Sequence, residues 1–320
     1  MRRITNRLSV VGLVAIAALA LAATAVAATI NGGPGNERLI GTPVADDIHG
    51  AGGHDRIIGL AGDDQLFGDD GRDRIRAGKG NDTVFGGFGN DRIRGQQGDD
   101  TLDGQMGRDR IWGGGGNDTV LGHAGGDLLV GGAGNDTVTG DTPLMGDLHS
   151  RDRIFGGPGD DTLTGGDGRD LIVGGPGNDT STGNAGRDRM AGGFGDDKQF
   201  GKAGNDLIFA NQGVDETWGG EGDDQLWAMA RRDVTPGPNG EVDTVGDTLH
   251  GEDGNDVFHT RDGEVDVIDC GPGFDRALLD QVDVILDPAA CEKVVRKAPR
   301  PREDNAENKA DQRAPREPRD

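Results

Sequence analysis

The chain contains no tyrosine and only two cysteines in 320 residues. Serine occurs only as Ser9, Ser150 and Ser181, and none of the three sits in a Gly-x-Ser-x-Gly turn. That removes the nucleophile elbow of the α/β-hydrolases. The six histidines form no His-Glu-x-x-His pair, which removes the helix-borne zinc peptidases. His49, His54, His123, His149, His250 and His259 share no metal-ligand spacing and are expected on turns or at the surface. Gly89 to Arg94 has the backbone of a phosphate-binding loop, but no Lys-Ser/Thr and no helix follow, so that reading is weak. Beyond residue 27 no apolar run is long enough to span a bilayer. Positive charge is scarce against a net charge of −24, which argues against nucleic acid as a partner, since that needs a basic face.

What the chain has is glycine, 61 residues of it, in a fixed order. Twelve consecutive nine-residue units run from Gly32 to Thr139 on the template Gly-x-x-Gly-x-Asp-x-apolar-x. Position one departs from Gly only at Ala77, position four only at Val44, and position six from Asp only at Glu37. Position eight is Leu, Ile or Val in every unit. A period held this strictly means a repeat architecture.

Each position has a physical reason. The glycines permit positive φ and let one turn lie against the next. The Asp sets a carboxylate beside exposed backbone carbonyls, and hard oxygen donors of that kind suit Ca²⁺. The x-apolar-x triplet is a three-residue strand with one side chain turned inward. Position seven shows that two nonads make one coil. Arg38, Arg56, Arg74, Arg92 and Arg110 alternate with Thr83, Thr101, Thr119 and Thr137, each set repeating every 18 residues. The fold is therefore expected to be two-sided, with an Arg column on one outer face and a Thr column on the other.

Units such as Gly86-Gly87-Phe88-Gly89-Asn90-Asp91-Arg92-Ile93-Arg94 resemble the RTX, or haemolysin-type, calcium-binding repeat, over roughly residues 32 to 280. The resemblance implies an all-β fold, a parallel β-roll with two nonapeptides per coil and Ca²⁺ between successive turns of the same side. Sixth-position Asp and turn carbonyls would hold the ions, and folding would need calcium. Carried onto this chain, the metal ligands are Asp55, Asp64, Asp73, Asp82, Asp91, Asp100, Asp109, Asp118, Asp127 and Asp136 in the first run. Asp161, Asp170, Asp179, Asp188, Asp197, Asp206, Asp215, Asp224 and Asp256 follow.

Energetics and charge agree with a metal-dependent fold. One buried aliphatic side chain per nonad gives roughly 1.5–3 kcal/mol. Ordering nine residues costs roughly 1–2 kcal/mol each. The apolar term loses, so the metal must supply the difference. Residues 28–295 carry about −29, and about fifteen Ca²⁺ would nearly neutralise them.

The organisation follows from breaks in the period. Residues 1–27 read as a signal peptide, with Arg2, Arg3 and Arg7, an apolar stretch from Leu8 to Ala23, and Ala25-Val26-Ala27 as the cleavage site. The first roll segment is 28–139. Residues 140–155 are an irregular unit, a nonad with an insert of seven. The second segment, 156–227, has polar Ser181, Gln199 and Thr217 at position eight on one side, which leaves open either tolerated drift or a wet groove. Phe200 and Trp218 are placed to turn inward in compensation. A loop insertion at 228–250 holds Pro236-Gly237-Pro238-Asn239-Gly240. Residues 251–295 hold the last repeats and a cap. From Arg296 the tail is charged, Pro-rich and expected to be disordered.

Cys270 and Cys291 are even in number and follow an export leader, which suggests a disulfide, with a free or metal-binding thiol pair as the alternative. The segment Asp269-Cys270-Gly271-Pro272-Gly273-Phe274-Asp275 with Cys291-Glu292-Lys293-Val294 looks like a C-terminal cap of secreted calcium-repeat proteins.

The functional expectation is a secreted, extracellular calcium-binding module with a structural or adhesive role and no enzymatic activity. The alternative is a recognition surface for an anionic cell-surface or matrix glycan, or for a protein. It would use the Arg column and the ninth-position row of Ile58, Phe67, Phe85, Trp112, Leu121 and Val130. Against it stands the pairing of each Arg with its neighbouring Asp, as on solvated faces. A calcium-dependent hydrolase, using an Asp pair, is the distant third.

Overall fold

The computed structural model describes residues 26–141, 150–228 and 246–297. Most of the expected leader, the insert core 142–149, the loop 229–245 and the tail from 298 lie outside the described residues. The described chain is a parallel β-roll of two facing sheets, with no helix among the described residues. One sheet has 16 strands and the other 14, the two extra strands being short turn segments at Gly52–Gly53 and Asp70–Gly71.

The position-seven alternation sorts the nonads between the sheets. In the sheet built from Arg56–Ala61, Arg74–Lys79, Arg92–Gln97 and Arg110–Gly115, Arg92 pairs with Arg74 on one side and Arg110 on the other. In the facing sheet Thr101 pairs with Thr83 and Thr119. Successive strands of a sheet are therefore one coil apart, about 4.8 Å along the axis.

Both sheets run on across the irregular segments. Leu128 pairs with Arg153 and Thr137 with Thr162. Gln225 pairs with Val257 and Glu216 with Thr248. Additional residues are therefore accommodated at the corners without loss of register, because the strands before and after them still turn their middle residue inward, apolar in all but Thr217.

The interior is one row of position-eight side chains from each sheet. Ile48, Ile57, Leu66, Ile75, Val84 and Ile93 are fully buried, and the cluster continues to Ile208. The polar trio lies in this row and not in a groove: Ser181, Gln199 and Thr217 are all buried. Among the described residues Gln199 Nε2 and Oε1 and Thr217 Oγ1 have no hydrogen-bond partner. The trio interrupts one side of the core, and a second cluster begins at Leu226. Phe200 and Trp218 do not turn inward. They stack on the outer face with ring centroids 4.5 Å apart, because position nine points away from the interior.

The ninth-position row differs from the exposed row expected. Phe67 and Phe85 are half-buried and stacked at 5.3 Å. Trp112 and Val130 are buried and join Phe155, Val173, Ala191 and Phe209 in a third apolar cluster on the outer side of the Arg sheet, packed against Leu128, Leu171, Leu207 and Trp227. At the C-terminal end Cys270 and Cys291 are disulfide-bonded, with Cα atoms 5.6 Å apart, inside the second core cluster. The final strand, Lys293–Arg296, pairs with Arg276–Leu279.

Candidate metal centre

The turns explain the template. Position two adopts positive φ even where it is not glycine, as at Leu60, Gln96 and Lys202. Position four adopts it as well in most units, as at Gly89, where only glycine fits: a Cβ there would overlap the carbonyl oxygen of Gly71 in the preceding coil. Two left-handed residues in three bend the chain sharply and deliver position six to the inner corner.

All nineteen aspartates expected as ligands are buried, none more than 3% exposed. They form two ladders, one along each edge. In the ladder beside the Arg sheet, Asp91 N–H donates to Oδ1 of Asp109 at 2.7 Å, and Asp109 N–H donates to Oδ1 of Asp127 at 2.7 Å. In the other, Asp82 N–H donates to Asp100 Oδ1 and Asp100 N–H to Asp118 Oδ1, at 2.8 and 2.9 Å. The ladders continue through both irregular segments, from Asp127 to Asp152 and from Asp224 to Asp256.

One oxygen of each carboxylate is thus committed to the backbone. The other is not. From Asp55 to Asp118, and from Asp136 to Asp256, the expected ligands bury Oδ2 with no hydrogen-bond partner among the described residues. These oxygens face other acceptors. A Cβ built on Gly104 would meet Asp109 Oδ2 at 2.5 Å and the Gly122 carbonyl oxygen at 3.1 Å. One built on Gly86 would meet Asp91 Oδ2 at 2.8 Å and the Gly104 carbonyl oxygen at 2.7 Å. Position one is glycine because that corner is occupied by oxygen from two coils.

A buried anionic oxygen beside carbonyl oxygens, with no donor, is unfavourable unless a cation sits among them. The same burial shifts the titration of these carboxylates. Burial pushes Asp73 up to about 7 and Asp109, Asp161 and Asp256 to about 8, outweighing the backbone N–H that each carboxylate accepts. Among the described residues no three His, Cys, Asp or Glu side chains gather into a metal-binding group. Each turn offers one carboxylate oxygen, and the remaining donors are backbone carbonyls. That all-oxygen set fits Ca²⁺ and not a thiophilic or imidazole-seeking metal.

The structure adds members the sequence reading left out. Asp152, Asp247, Asp266, Asp275 and Asp283 occupy ladder positions, with Glu37 and Glu292 at the two ends of one ladder. Only Asp266 and Asp275 of these share the unpartnered Oδ2. Asp46 and Asp152 instead spend that oxygen on Thr42 N–H and the Ser150 hydroxyl. The signal that remained in sequence is the tetrad Asp-x-apolar-x, as in Asp152-Arg153-Ile154-Phe155 and Asp275-Arg276-Ala277-Leu278.

Glycine-cornered coils, an aliphatic row and two ladders of buried carboxylates define the class, a β-roll built around oxygen-lined turns. A family model described as the RTX calcium-binding nonapeptide repeat matches in overlapping copies from residue 31 to 142, and again over 150–181, 182–198, 200–226 and 246–275. The chain belongs to the RTX calcium-binding repeat family, and calcium is the ion that family implies. No curated protein matches it.

Proposed function

We propose that this chain is a secreted module that folds on meeting extracellular calcium and then serves as a stiff structural or adhesive element without catalytic activity of its own. The observation that carries the reading is the pair of ladders in which carboxylates such as Asp73, Asp91, Asp100 and Asp109 commit Oδ1 to the backbone and bury Oδ2 with no hydrogen-bond partner among the described residues. The Oδ2 atoms and turn carbonyls would hold the ions. The bound ions would neutralise the acidic corners and supply the folding energy that a single aliphatic row does not. Extracellular calcium modules bind at about 10⁻⁴–10⁻³ M. A chain of that affinity stays unfolded inside the cell and folds outside it, which suits the export leader read at residues 1–27.

Replacing Asp73, Asp91 and Asp109 together by Asn tests the reading. Bound calcium per chain, measured by equilibrium dialysis with elemental analysis, should fall in the variant. Unchanged stoichiometry would remove these positions from the sites and the reading with them.

A further inference from the structure

The arginines of this acidic protein gather on one edge of the roll. Arg56, Arg74 and Arg110 occupy position seven of the Arg sheet, and Arg72, Arg108 and Arg151 occupy position five of the turns that lead into it. All six are exposed. None has an ion-pair partner among the described residues. The acids next to them in sequence cannot neutralise them. In Arg72-Asp73-Arg74 and Arg108-Asp109-Arg110 the central Asp is buried, with Oδ1 holding a backbone N–H of the preceding coil. The pairing of Arg with adjacent Asp expected from sequence therefore does not occur, because position six points in where five and seven point out.

The ridge continues at Arg169 and Arg187, which line a surface groove with Arg151 and Asn205. Like charges crowd here: burial and the charges of Arg110 and Arg74 lower the pKa of the Arg92 guanidinium. The opposite edge is built differently. Its position-five residues are Asp63, Asn81, Asp99 and Asn117, whose side-chain oxygens accept backbone N–H groups from the next coil, above a column of threonines. Exposed arginines are thus concentrated on one edge, with Asp69, Asp70 and Asp167 among them in its turns.

We propose that this ridge binds a linear polysaccharide bearing carboxylate or sulfate groups. Arginine stands at position five or seven in seven of the eight coils from Arg56 to Arg187, the coil at Gly126 and Leu128 being the gap, at about 4.8 Å per coil over a span of about 34 Å. A regular, extended polyanion matches that row, whereas a small anion uses one step of it. Nucleic acid is disfavoured because single strands bind by stacking bases on exposed aromatic side chains. Of the aromatics on this side of the roll, Trp112 and Phe155 are buried, and Phe88, in the turn between those of Arg72 and Arg108, is a single exposed ring and not a stacking row. The proposal rests on the calcium-folded roll, since the row exists only when the coils are stacked.

The test is titration of a polyuronate, of heparin and of single-stranded DNA into the full chain in calcium, with circular dichroism on the same samples. Polyuronate or heparin should bind, with an affinity that falls steeply as salt is raised. The combined change Arg72→Gln, Arg74→Gln, Arg108→Gln and Arg110→Gln should weaken that binding about tenfold or more. Thr101→Gln with Thr119→Gln on the other edge should leave it unchanged. A preference between the two polysaccharides names the anionic group. The proposal is overturned if a roll with native dichroism binds neither polysaccharide, if the arginine variant binds as the parent does, or if DNA binds as tightly. A chain without β-structure in calcium overturns the calcium reading and this one together, and the dichroism tells the two failures apart.

Discussion

Asp109→Asn should change the sign of its effect with calcium. Asp109 Oδ1 accepts the Asp91 N–H at 2.7 Å, and asparagine keeps that acceptor. The substitution replaces the buried, unpartnered Oδ2 by an amide nitrogen. In calcium the loss would be the anionic Oδ2 that we propose as a ligand. Removing one partner from a buried charge pair costs about 3–5 kcal/mol. Without calcium the same change relieves a carboxylate that burial pushes up to about 8. Oδ2 shares its corner with the Gly122 carbonyl oxygen, to which an amide N–H can donate. A net hydrogen bond contributes about 0.5–1.5 kcal/mol, and the removed buried charge adds to it. The expected outcome is a stabilisation of about 1–3 kcal/mol in EDTA and a destabilisation of about 3 kcal/mol in saturating calcium. Urea unfolding followed by far-UV circular dichroism in both conditions measures it. The triple change at Asp73, Asp91 and Asp109 enlarges the EDTA effect where the parent is too little folded to titrate. Equal destabilisation with and without calcium would refute the reasoning, since it would make Asp109 a packing residue.

Acid should partly replace calcium. Burial raises Asp82 and Asp100 from the ordinary 3.8 to about 7, and Asp161, Asp197 and Asp256 to about 8. Folded values above the unfolded one mean that the protonated ladder favours folding, fully below about pH 4 and progressively less as pH rises through about 7 to 8. The EDTA-treated chain should therefore gain β-signal on acidification from about pH 8 to about pH 5, while calcium affinity falls. Loss of β-signal on acidification would contradict it. Gly89→Ala sets a methyl group into the Gly71 carbonyl and should cost about 3 kcal/mol or more in calcium, read by thermal unfolding; a neutral result would mean the coils are not in this contact. Gln199→Leu replaces a buried amide with no hydrogen-bond partner among the described residues and should stabilise the roll by about 1–3 kcal/mol, a gain that a lower melting temperature would exclude.

The roll itself was legible because every position of the nonad answers to one local constraint. The Arg and Thr alternation at position seven is enough to separate the sheets, and the aliphatic eighth residue is enough to point the strands. The ladder was less legible. Asp266 is hard to read because the glycine corner ahead of it has decayed, and Asp275 because Cys270 replaces the first glycine although Gly271 and Gly273 keep the turn; in both the Asp-x-apolar-x stub that sets the register survives. Gln199 misled in another way. A polar residue in an aliphatic column suggests a groove, but the strands on either side fix its direction and carry it into the core. Trp112 and Val130 were expected at the surface because strand alternation points them outward. Their burial comes from the apolar column of neighbouring coils, which a single nonad does not display. The bareness of Arg72 and Arg108 follows from the inward turn of Asp73 and Asp109, which is visible only once the turn is built.

Calcium titration of the EDTA-stripped chain, followed by far-UV circular dichroism, tests the central claim most directly. The account predicts little β-signal at neutral pH without calcium, then a steep transition at about 10⁻⁴–10⁻³ M Ca²⁺ that chelator reverses. A full β-signal in EDTA at neutral pH, unmoved by calcium, would show that the aliphatic row and backbone ladders hold the roll unaided and would contradict the account.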